Sequence, residues 1–408
     1  MKRLLSIMLL LMAVTAMSAQ TTLSGVVTDI KTKEPLSHVS VMAEGTDVHT
    51  VTNEDGRFSL KVSELPGYIR LSHIGYKTRR VSMEGKSIDQ LHLSMTGSTV
   101  ELSEIVVSAD DPFAIVKAAM NRIERNYPQQ DELVRCFYRE TARRGSRFIS
   151  VAEAVTEMYK SDYSVGPDYD GVAIRKGRRL MSMKASDTLG VKIQGGPVMP
   201  LMVDVAKNRN YLLNLDIMQN YQFRMEVPTK IDDRLHYVVS MTPKPLTLQA
   251  LMGGLLYIDQ QTLAITRAEL QLDVSDWRRA SNYMLVSKPF GLHFRPKELS
   301  VTVVYQADEK GVTRMSYVRN VMRFNCDWKR RLFSSPYVTV SEMVVTDRLK
   351  QGREAKRPRG RSTFGFRERF YDRVEYFEDP DFWADYNIIE PTESLEHAIT
   401  RLKKRVSL

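Results

Sequence analysis

The segments LSGVVTD at residues 23–29 and DGRFSLKV at residues 55–62 decide the fold class of the N-terminal region. In both segments apolar and polar side chains alternate, which is the pattern of a β-strand with one buried face. The same alternation, with turn residues between the segments, recurs around residues 39–43, 69–71, 81–83 and 91–93. A lone hairpin is not stable in water, so we expect these strands to pack as a β-sandwich over residues 21–108.

The same region contains a set of regularly spaced motifs: GVVTD at 25–29, PL at 35–36, TNEDGRF at 52–58 and HIGY at 73–76. With these motifs it resembles the carboxypeptidase regulatory-like family, whose transthyretin-like β-sandwich is grouped with carbohydrate-binding-like folds. Such domains accompany zinc carboxypeptidases and TonB-dependent outer-membrane receptors. Neither activity carries over, because none of the 7 histidines begins a paired zinc-ligand motif and the remaining chain is too short for a receptor barrel.

Residues 1–19 have the layout of a secretory signal peptide. Lys2 and Arg3 precede an apolar run over residues 4–16, and small side chains follow up to Ala19. The run is shorter than the roughly 20 apolar residues that span a bilayer. We therefore expect cleavage after Ala19, or after Ser18, and export to the periplasm or the outer-membrane periphery. An uncleaved anchor helix is the alternative, and no later segment predicts a transmembrane span in the mature chain.

The composition indicates a globular protein of two or three domains. The 408 residues include 59 Lys and Arg against 49 Asp and Glu, a net charge of +10, and 43% are hydrophobic. The positive charge favours anionic partners, but export argues against nucleic acid. Cys136 and Cys326 either form one disulfide or remain buried thiols, and two cysteines without a nearby histidine predict neither a metal site nor a cofactor.

Residues 110–390 are predicted to form an antiparallel β-rich domain with flanking helices. Asp111 and Pro112 begin a helix that should end near Asn126. Alternating strand patterns follow, notably over residues 221–227, 264–274 and 299–305. The hairpin at 253–265 resembles that of periplasmic half-barrel proteins of the lipoprotein-carrier kind, and the whole region resembles uncharacterised envelope proteins of the Bacteroidota. The predicted fold class is mainly β with some α, a β-sandwich followed by a half-barrel-like domain.

Residues 391–408 predict a C-terminal amphipathic helix. Thr392 can cap its first turn. The apolar stripe that would pack against the protein consists of Leu395, Ile399, Leu402 and Val406.

Four side chains of the second region are candidates for ligand binding: Glu153, Glu157, Tyr138 and Glu140. The two glutamates would share an otherwise apolar strand face, where two carboxylates can share a proton or bind a cation. The alternative is that they pair with cations of a neighbouring strand, such as Arg135 or Arg139. Tyr138 and Glu140 lie in the segment 137–140, which fits the resemblance to envelope proteins.

The segment from Arg348 to Arg369 concentrates nine cations and is interrupted by Pro and Gly. This pattern predicts a mobile, extended loop. The candidates within it for binding an anionic surface are Lys356, Arg357, Arg359 and Arg361. Anionic lipid, lipopolysaccharide phosphate or an acidic protein of the envelope would satisfy this charge, and a merely solvated loop is the alternative.

No set of residues in the sequence specifies a reaction, since it contains neither a G-x-S-x-G elbow nor a G-x-x-x-x-G-K phosphate loop. We therefore expect a non-enzymatic binding or scaffolding protein of the cell envelope, with the β-sandwich as an adaptor. The alternatives are a periplasmic carrier of an acyl or other apolar ligand, and a hydrolase with unrecognised carboxylates. An enclosed apolar cavity would favour the carrier, and a cleft with convergent carboxylates would favour the hydrolase.

Overall fold

The computed structural model describes residues 20–85, 87–99, 111–182, 190–209, 213–245, 249–328, 334–366, 368–376 and 382–406. The signal peptide predicted at residues 1–19 and the domain boundary predicted near residues 108–110 lie outside these ranges. Within them the fold is mainly β, as the sequence predicts, with a few short helices.

The seven N-terminal strands are β1 (Thr21–Asp29), β2 (Ser40–Ala43), β3 (His49–Val51), β4 (Arg57–Val62), β5 (Tyr68–Ser72), β6 (Arg79–Ser82) and β7 (Leu91–Met95). They form two sheets, in the orders β4-β1-β7 and β3-β2-β5-β6, and the expected sandwich is present. The inward side chains of both sheets make one separate apolar core that includes Leu23, Val27 and Phe58. Gly25 is required where β1 meets β7, because an added Cβ would lie 2.3 Å from the Leu91 carbonyl oxygen.

The second region is built on one long, mainly antiparallel sheet, and two of its short strands pair with each other in a separate two-stranded sheet. Its larger strands are β8 (Glu132–Arg144), β9 (Arg147–Lys160), β10 (Gly171–Met181), β12 (Tyr221–Ile231), β13 (Arg234–Pro243), β14 (Met252–Asp259), β15 (Ile265–Leu272), β17 (Leu292–Ala307), β18 (Thr313–Trp328) and β19 (Ser335–Gln351). The short strands of the region are β20 (Thr363–Phe364) and β21 (Glu375–Tyr376) in the long sheet, and β11 (Lys192–Ile193) and β16 (Leu285–Ser287) outside it.

Twelve of these strands pair in the order β12-β13-β14-β15-β17-β18-β19-β8-β9-β10-β20, with β21 also on β10. Within the described residues the two ends of this order, β12 and β20, do not pair, so the sheet remains open. The hairpin predicted at 253–265 joins β14 to β15, and Asp259 accepts hydrogen bonds from the backbone amides in its turn, at 2.8 Å from Thr262 N.

The helices are α1 (Pro112–Asn121), α2 (Ile123–Asn126), α3 (Met199–Met202), α4 (Leu215–Met218), α5 (Trp277–Met284) and α6 (Glu393–Val406). The first predicted helix is present, with Asp111 capping Phe113 N at 3.0 Å, but it is interrupted at Arg122. The helices α1, α2 and α5 cover the inner face of the long sheet, where they bury Val116, Ile123 and Ala280. This apolar packing fills the concave side of the half-barrel-like sheet.

The outer face of the long sheet carries the β-sandwich, and the C-terminal strap, which we define as residues 382–392, lies between them. The strap bonds to the sandwich from Asn387, whose Nδ2 lies 2.9 Å from the Lys61 carbonyl oxygen and whose Oδ1 lies 2.6 Å from Lys61 N. Thr50 Oγ1 donates to the Ile388 carbonyl oxygen at 3.0 Å. The strap therefore joins two regions that are far apart in sequence.

The predicted C-terminal helix is α6. Thr392 Oγ1 accepts a hydrogen bond from Leu395 N at 3.2 Å, which is the expected cap. Leu395 and Leu402 are buried against Val151 and Leu180 of the long sheet. Helix α6 therefore packs on the outer face of the long sheet, beside the strap.

Of the two states expected for the cysteines, the disulfide is wrong, because both Cys136 and Cys326 are free and buried. Cys136 pairs with Val345 of β19 and Cys326 with Ser335 of the same strand. These two partners are 345 − 335 = 10 residues apart. At about 3.3 Å per strand residue, that separation is on the order of 30 Å, far beyond disulfide reach.

Candidate functional site

The four predicted ligand-binding residues do not meet in one site. Tyr138 belongs to the inner core of the long sheet, and Glu140, two residues further along β8, faces the same side. Glu153 and Glu157 lie on β9 opposite Arg139 and Arg135, on the outer face. Because the sheet separates the two pairs, they cannot act on one ligand.

Glu153 lies in a closed ionic site beneath the C-terminal strap. Its side chain is 1% exposed and accepts hydrogen bonds from Arg139 at 2.7 Å and from Arg178 at 3.0 Å. Trp383 Nε1 in the strap donates to the same carboxylate at 3.1 Å. Burial raises the pKa of Glu153, but the two guanidinium groups outweigh burial and leave that pKa below its usual value.

Arg139 extends this ionic site to the strap backbone, donating to the Ile389 carbonyl oxygen at 2.7 Å. The alternative expected from the sequence for Glu153, an ion pair with Arg139, is therefore present. Glu157 is half-buried at the rim of the same face and pairs with Arg175 of β10. Both glutamates thus have cationic partners that hold strands and strap together.

Glu140 is buried on the inner face. Its Oε2 accepts hydrogen bonds from the Tyr138 hydroxyl at 2.9 Å and from Gly196 N at 3.2 Å. Burial raises the pKa of Glu140, which these two hydrogen bonds only partly offset. Gly196 has φ +85 and lies against the Phe364 ring, so the chain can approach this carboxylate only with glycine at that position.

The predicted basic loop needs a correction at its start. Arg348 and Lys350 belong to β19, and Arg348 pairs with Asp47 of the sandwich at 3.1 Å. The remainder is not a strand-free loop either, because β20 pairs through Thr363 and Phe364 with β10. Phe364 is buried among core side chains, and this anchor holds the segment against the end of the long sheet.

The segment and β10 together form an open groove of about 930 Å³, which we call the arginine groove. It is lined by Asp170, Gly171, Val172, Val198, Arg357, Pro358, Arg359, Gly360, Arg361, Thr363, Phe364, Gly365, Phe366, Glu368 and Arg373. Arg357 closes one side, since its Nη2 donates to the Asp168 carbonyl oxygen at 3.3 Å. Three of the four predicted surface-binding cations therefore line one groove, and Lys356 adjoins it.

The groove combines exposed positive charge with an apolar floor. Lys356, Arg357, Arg359 and Arg361 are all exposed. Within the groove lining, Arg373 forms an ion pair with Glu368. The apolar part of the lining is formed by the buried side chains of Val172, Val198 and Phe364. Such a surface can hold an anionic group at its rim and an apolar group at its floor.

A buried charge network that the sequence did not reveal lies beside the groove. Lys207 Nζ donates to Asp170 at 2.6 Å, and Lys160 pairs with Asp204. Asp204 also accepts hydrogen bonds from the Tyr305 hydroxyl at 2.8 Å. Burial raises the pKa of Asp170 and lowers that of Lys207. One signal was available: Lys160 occupies an inward position on β9 that the apolar pattern would reserve for a core side chain.

A small polar cavity of about 30 Å³ lies between the sandwich and the long sheet, which is room for ordered water. Its lining includes three of the chain's 7 histidines, His38, His49 and His73. Burial, with a smaller contribution from Arg267, lowers the pKa of His73 to about 4. Burial also lowers the pKa of His49, so His49 and His73 are neutral constituents of the interface near neutral pH.

Within the described ranges, no three His, Cys, Asp or Glu side chains are arranged to hold a metal ion. The same part of the chain contains no helix with the length and apolar character needed to cross a bilayer.

A comparison with protein-family models matches residues 23–107 to the CarboxypepD_reg-like domain, which confirms the resemblance seen in the sequence. No curated protein matches the chain. The matched residues include two segments that the structure brings together, since the Tyr76 hydroxyl donates to Asp29 at 3.0 Å. The second region lies outside this match.

Three solved structures are similar to this chain at low scores. A DUF1329 family protein from Desulfovibrio piger is 13% identical and has a TM-score of 0.23, and the match covers 58% of this chain and 94% of that protein's chain. A putative outer membrane lipoprotein-sorting protein domain from Vibrio parahaemolyticus is 8% identical, with coverages of 58% and 91% and a TM-score of 0.25. A LolA superfamily protein from Nitrosomonas europaea is 13% identical, with coverages of 57% and 94% and a TM-score of 0.20. These scores are too low to transfer a function.

Proposed function

We propose that the protein binds an anionic ligand with an apolar portion in the arginine groove, and that it does so as a non-enzymatic protein of the cell envelope. The observation that carries the proposal is the presence, in one groove, of exposed guanidinium groups above buried apolar side chains. Arg359 and Arg361 have no ion-pair partner among the described residues, so their charge is available to a ligand. Guanidinium groups bind carboxylate and phosphate oxygens through paired, directed hydrogen bonds.

The carboxylates of the second region support a binding protein better than a hydrolase. Glu153 is enclosed by two arginines and Trp383, and Glu140 lies on the opposite face of the sheet. General acid and base catalysis needs two groups that reach the same substrate. The hydrolase alternative therefore has less support than either binding interpretation.

The carrier alternative takes a specific form on this molecule. The concave side of the long sheet is filled by its own core, including Tyr127, Tyr163 and Tyr305, so that side offers little support for an enclosed apolar ligand. The arginine groove is open, and a ligand bound there would keep contact with solvent or with a surface. We therefore favour surface presentation of the ligand over complete enclosure.

The envelope location rests on the signal-peptide pattern of residues 1–19 and on the regulatory-like sandwich at 23–107, which we take as an adaptor. Mass spectrometry of the protein recovered from the envelope fraction should find a chain that begins at Gln20. Recovery of a chain that retains Met1 would contradict export by cleavage.

The binding proposal is tested with dodecyl phosphate, a soluble amphiphile with an anionic head, by isothermal titration calorimetry below its micelle concentration. The double variant Arg359→Gln/Arg361→Gln should bind at least about tenfold more weakly, because each charge-assisted contact contributes roughly 1 kcal/mol or more. The matched control is Arg224→Gln/Arg295→Gln, two exposed arginines on β12 and β17 outside the groove. Equal affinity in both variants would disprove the groove as the site, as would equal binding of the uncharged dodecyl maltoside.

A further inference from the structure

Two large side chains beside the arginine groove are exposed to solvent where most residues of their kind are buried. Phe366 in the groove lining is 48% exposed, and Tyr169, next to Asp170, is 62% exposed. Tyr169 ends the short 3₁₀ helix Pro167–Tyr169 and Phe366 lies in a turn after β20, so the alternation of a strand does not impose their exposure. Exposed aromatic side chains that flank a charged groove commonly mark an interaction surface.

The structure places Tyr169 on the same rim as the arginines. The contact from Arg357 to the Asp168 carbonyl oxygen ties the arginine segment to the turn that carries Tyr169. A Cβ added to Gly171 would lie only 3.2 Å from Arg357 Nε, so the two segments are in close contact there. The aromatic and the cationic side chains therefore belong to one continuous surface.

The charge of this surface is strongly one-sided. Lys356, Arg357, Arg359 and Arg361 are exposed, whereas the nearby Asp170 is bonded to Lys207 and Glu368 to Arg373. The exposed Asp168 adds one negative charge to the same rim. A net positive rim complements an anionic surface, because each exposed cation is attracted to the negative potential of an anionic membrane.

We propose that the rim formed by Tyr169, Phe366 and the four cations docks on an anionic lipid surface, so that the groove receives its ligand from the membrane. The inference rests on the proposed function, to which it adds the partner. Tyrosine and phenylalanine rings enter the interfacial layer of a bilayer, where an apolar ring and a polar edge are both satisfied. Arginine then bonds the lipid phosphates at the same depth.

The test uses the chain from Gln20 onward, because residues 1–19 are apolar and would bind lipid unaided. Cosedimentation is measured with vesicles of phosphatidylglycerol and phosphatidylcholine in low salt (about 50 mM) and again in high salt (about 500 mM). We expect binding that weakens at least tenfold in high salt and is absent on pure phosphatidylcholine. Tyr169→Ser should lower vesicle affinity by about fivefold through the loss of buried ring area.

The matched control is Phe290→Ser, which removes a ring that is 97% exposed and outside the groove lining. It should leave vesicle affinity unchanged. Absence of vesicle binding in low salt, or loss of binding in Phe290→Ser together with full binding in Tyr169→Ser, would overturn the inference. Thermal unfolding of each variant, expected at the wild-type temperature, excludes misfolding as the cause.

Dodecyl phosphate separates this inference from the proposed function. Tyr169 does not line the groove, so Tyr169→Ser should bind dodecyl phosphate as the wild type does. Dodecyl phosphate binding without vesicle binding would leave the groove as a site supplied from solution and reject the membrane surface. Vesicle binding without dodecyl phosphate binding would retain the surface and reject the groove ligand.

Discussion

The ionic site around Glu153 and the arginine groove lie on neighbouring parts of the same sheet, yet the first buries its charges in ion pairs and the second exposes them. In the first, one carboxylate is enclosed by Arg139, Arg178 and Trp383 and the C-terminal strap covers it. In the second, Arg359 and Arg361 are exposed beside apolar side chains. Paired buried charge maintains structure, and exposed charge that has no ion-pair partner among the described residues is available for binding. Four variants test this division.

The largest effect is expected from Glu153→Ala. It leaves Arg139 and Arg178 buried without their anion, which should lower the free energy of unfolding by about 3–5 kcal/mol. Denaturant unfolding measures the change. Glu157→Ala on the same strand is the control, and since its partner Arg175 is nearly half exposed the loss should be at most about 1 kcal/mol. Similar losses in the two variants would remove the distinction between the closed site and its rim.

Burial of His73 should make the stability of the protein depend on pH. The pKa of His73 is about 4 in the folded protein and about 6.5 in an unfolded chain, so the unfolded chain takes up the proton first as the pH falls. Stability is therefore complete above pH 6.5 and declines between pH 6.5 and about 4, by roughly 2–3 kcal/mol from this residue. His73→Gln should flatten that decline in denaturant unfolding at a series of pH values. An unchanged decline would contradict it, and His92→Gln, an exposed histidine of β7, should have no effect.

Asn387→Ala probes the strap from the sandwich side. The variant removes both hydrogen bonds to the Lys61 backbone, which should cost about 1–2 kcal/mol. The structure also predicts that faster amide exchange will be confined to the strap and β4. Uniformly faster exchange throughout the long sheet would mean that the strap supports more of the fold than its contacts with the sandwich indicate.

The smallest effect on stability is expected from the quadruple change of Lys356, Arg357, Arg359 and Arg361 to Gln. These side chains are exposed, so the melting temperature should change by no more than the equivalent of about 0.5 kcal/mol. Binding to anionic vesicles should nevertheless be largely lost. A large drop in melting temperature, or unchanged vesicle binding, would mean that the charges of the groove maintain the fold and do not bind a ligand.

Strand and helix patterns in the sequence predicted most elements of the fold. The sandwich, the hairpin at 253–265 and the capped helix α6 each depend on contacts between neighbours in sequence or on a simple alternation, and each is present. The strap was not predicted, because residues 382–392 have no periodicity. Its hydrogen bonds go to backbone groups such as the Lys61 carbonyl, which leave no mark on composition.

The candidate site was predicted in part. The arginine cluster was visible as a charge run, but the groove depends on β20 pairing with β10, and two residues are too short for a recognisable strand pattern. The separation of Glu140 from Glu153 depends on the register of β8 with β9. A shift of one residue in that pairing would move a side chain to the other face, and sequence alone does not determine the register across a short turn.

The C-terminal strap also imposes an order in time. Thr50 bonds to Ile388 across 338 positions of sequence, so the contact closes a loop that comprises nearly the whole chain. During synthesis the sandwich emerges long before the strap. Its contacts with the strap can form only after residues 382–392 have been synthesised. The interface between the sandwich and the long sheet therefore forms fully only in a chain that includes the strap, because a chain that stops before residue 382 lacks the segment that joins them.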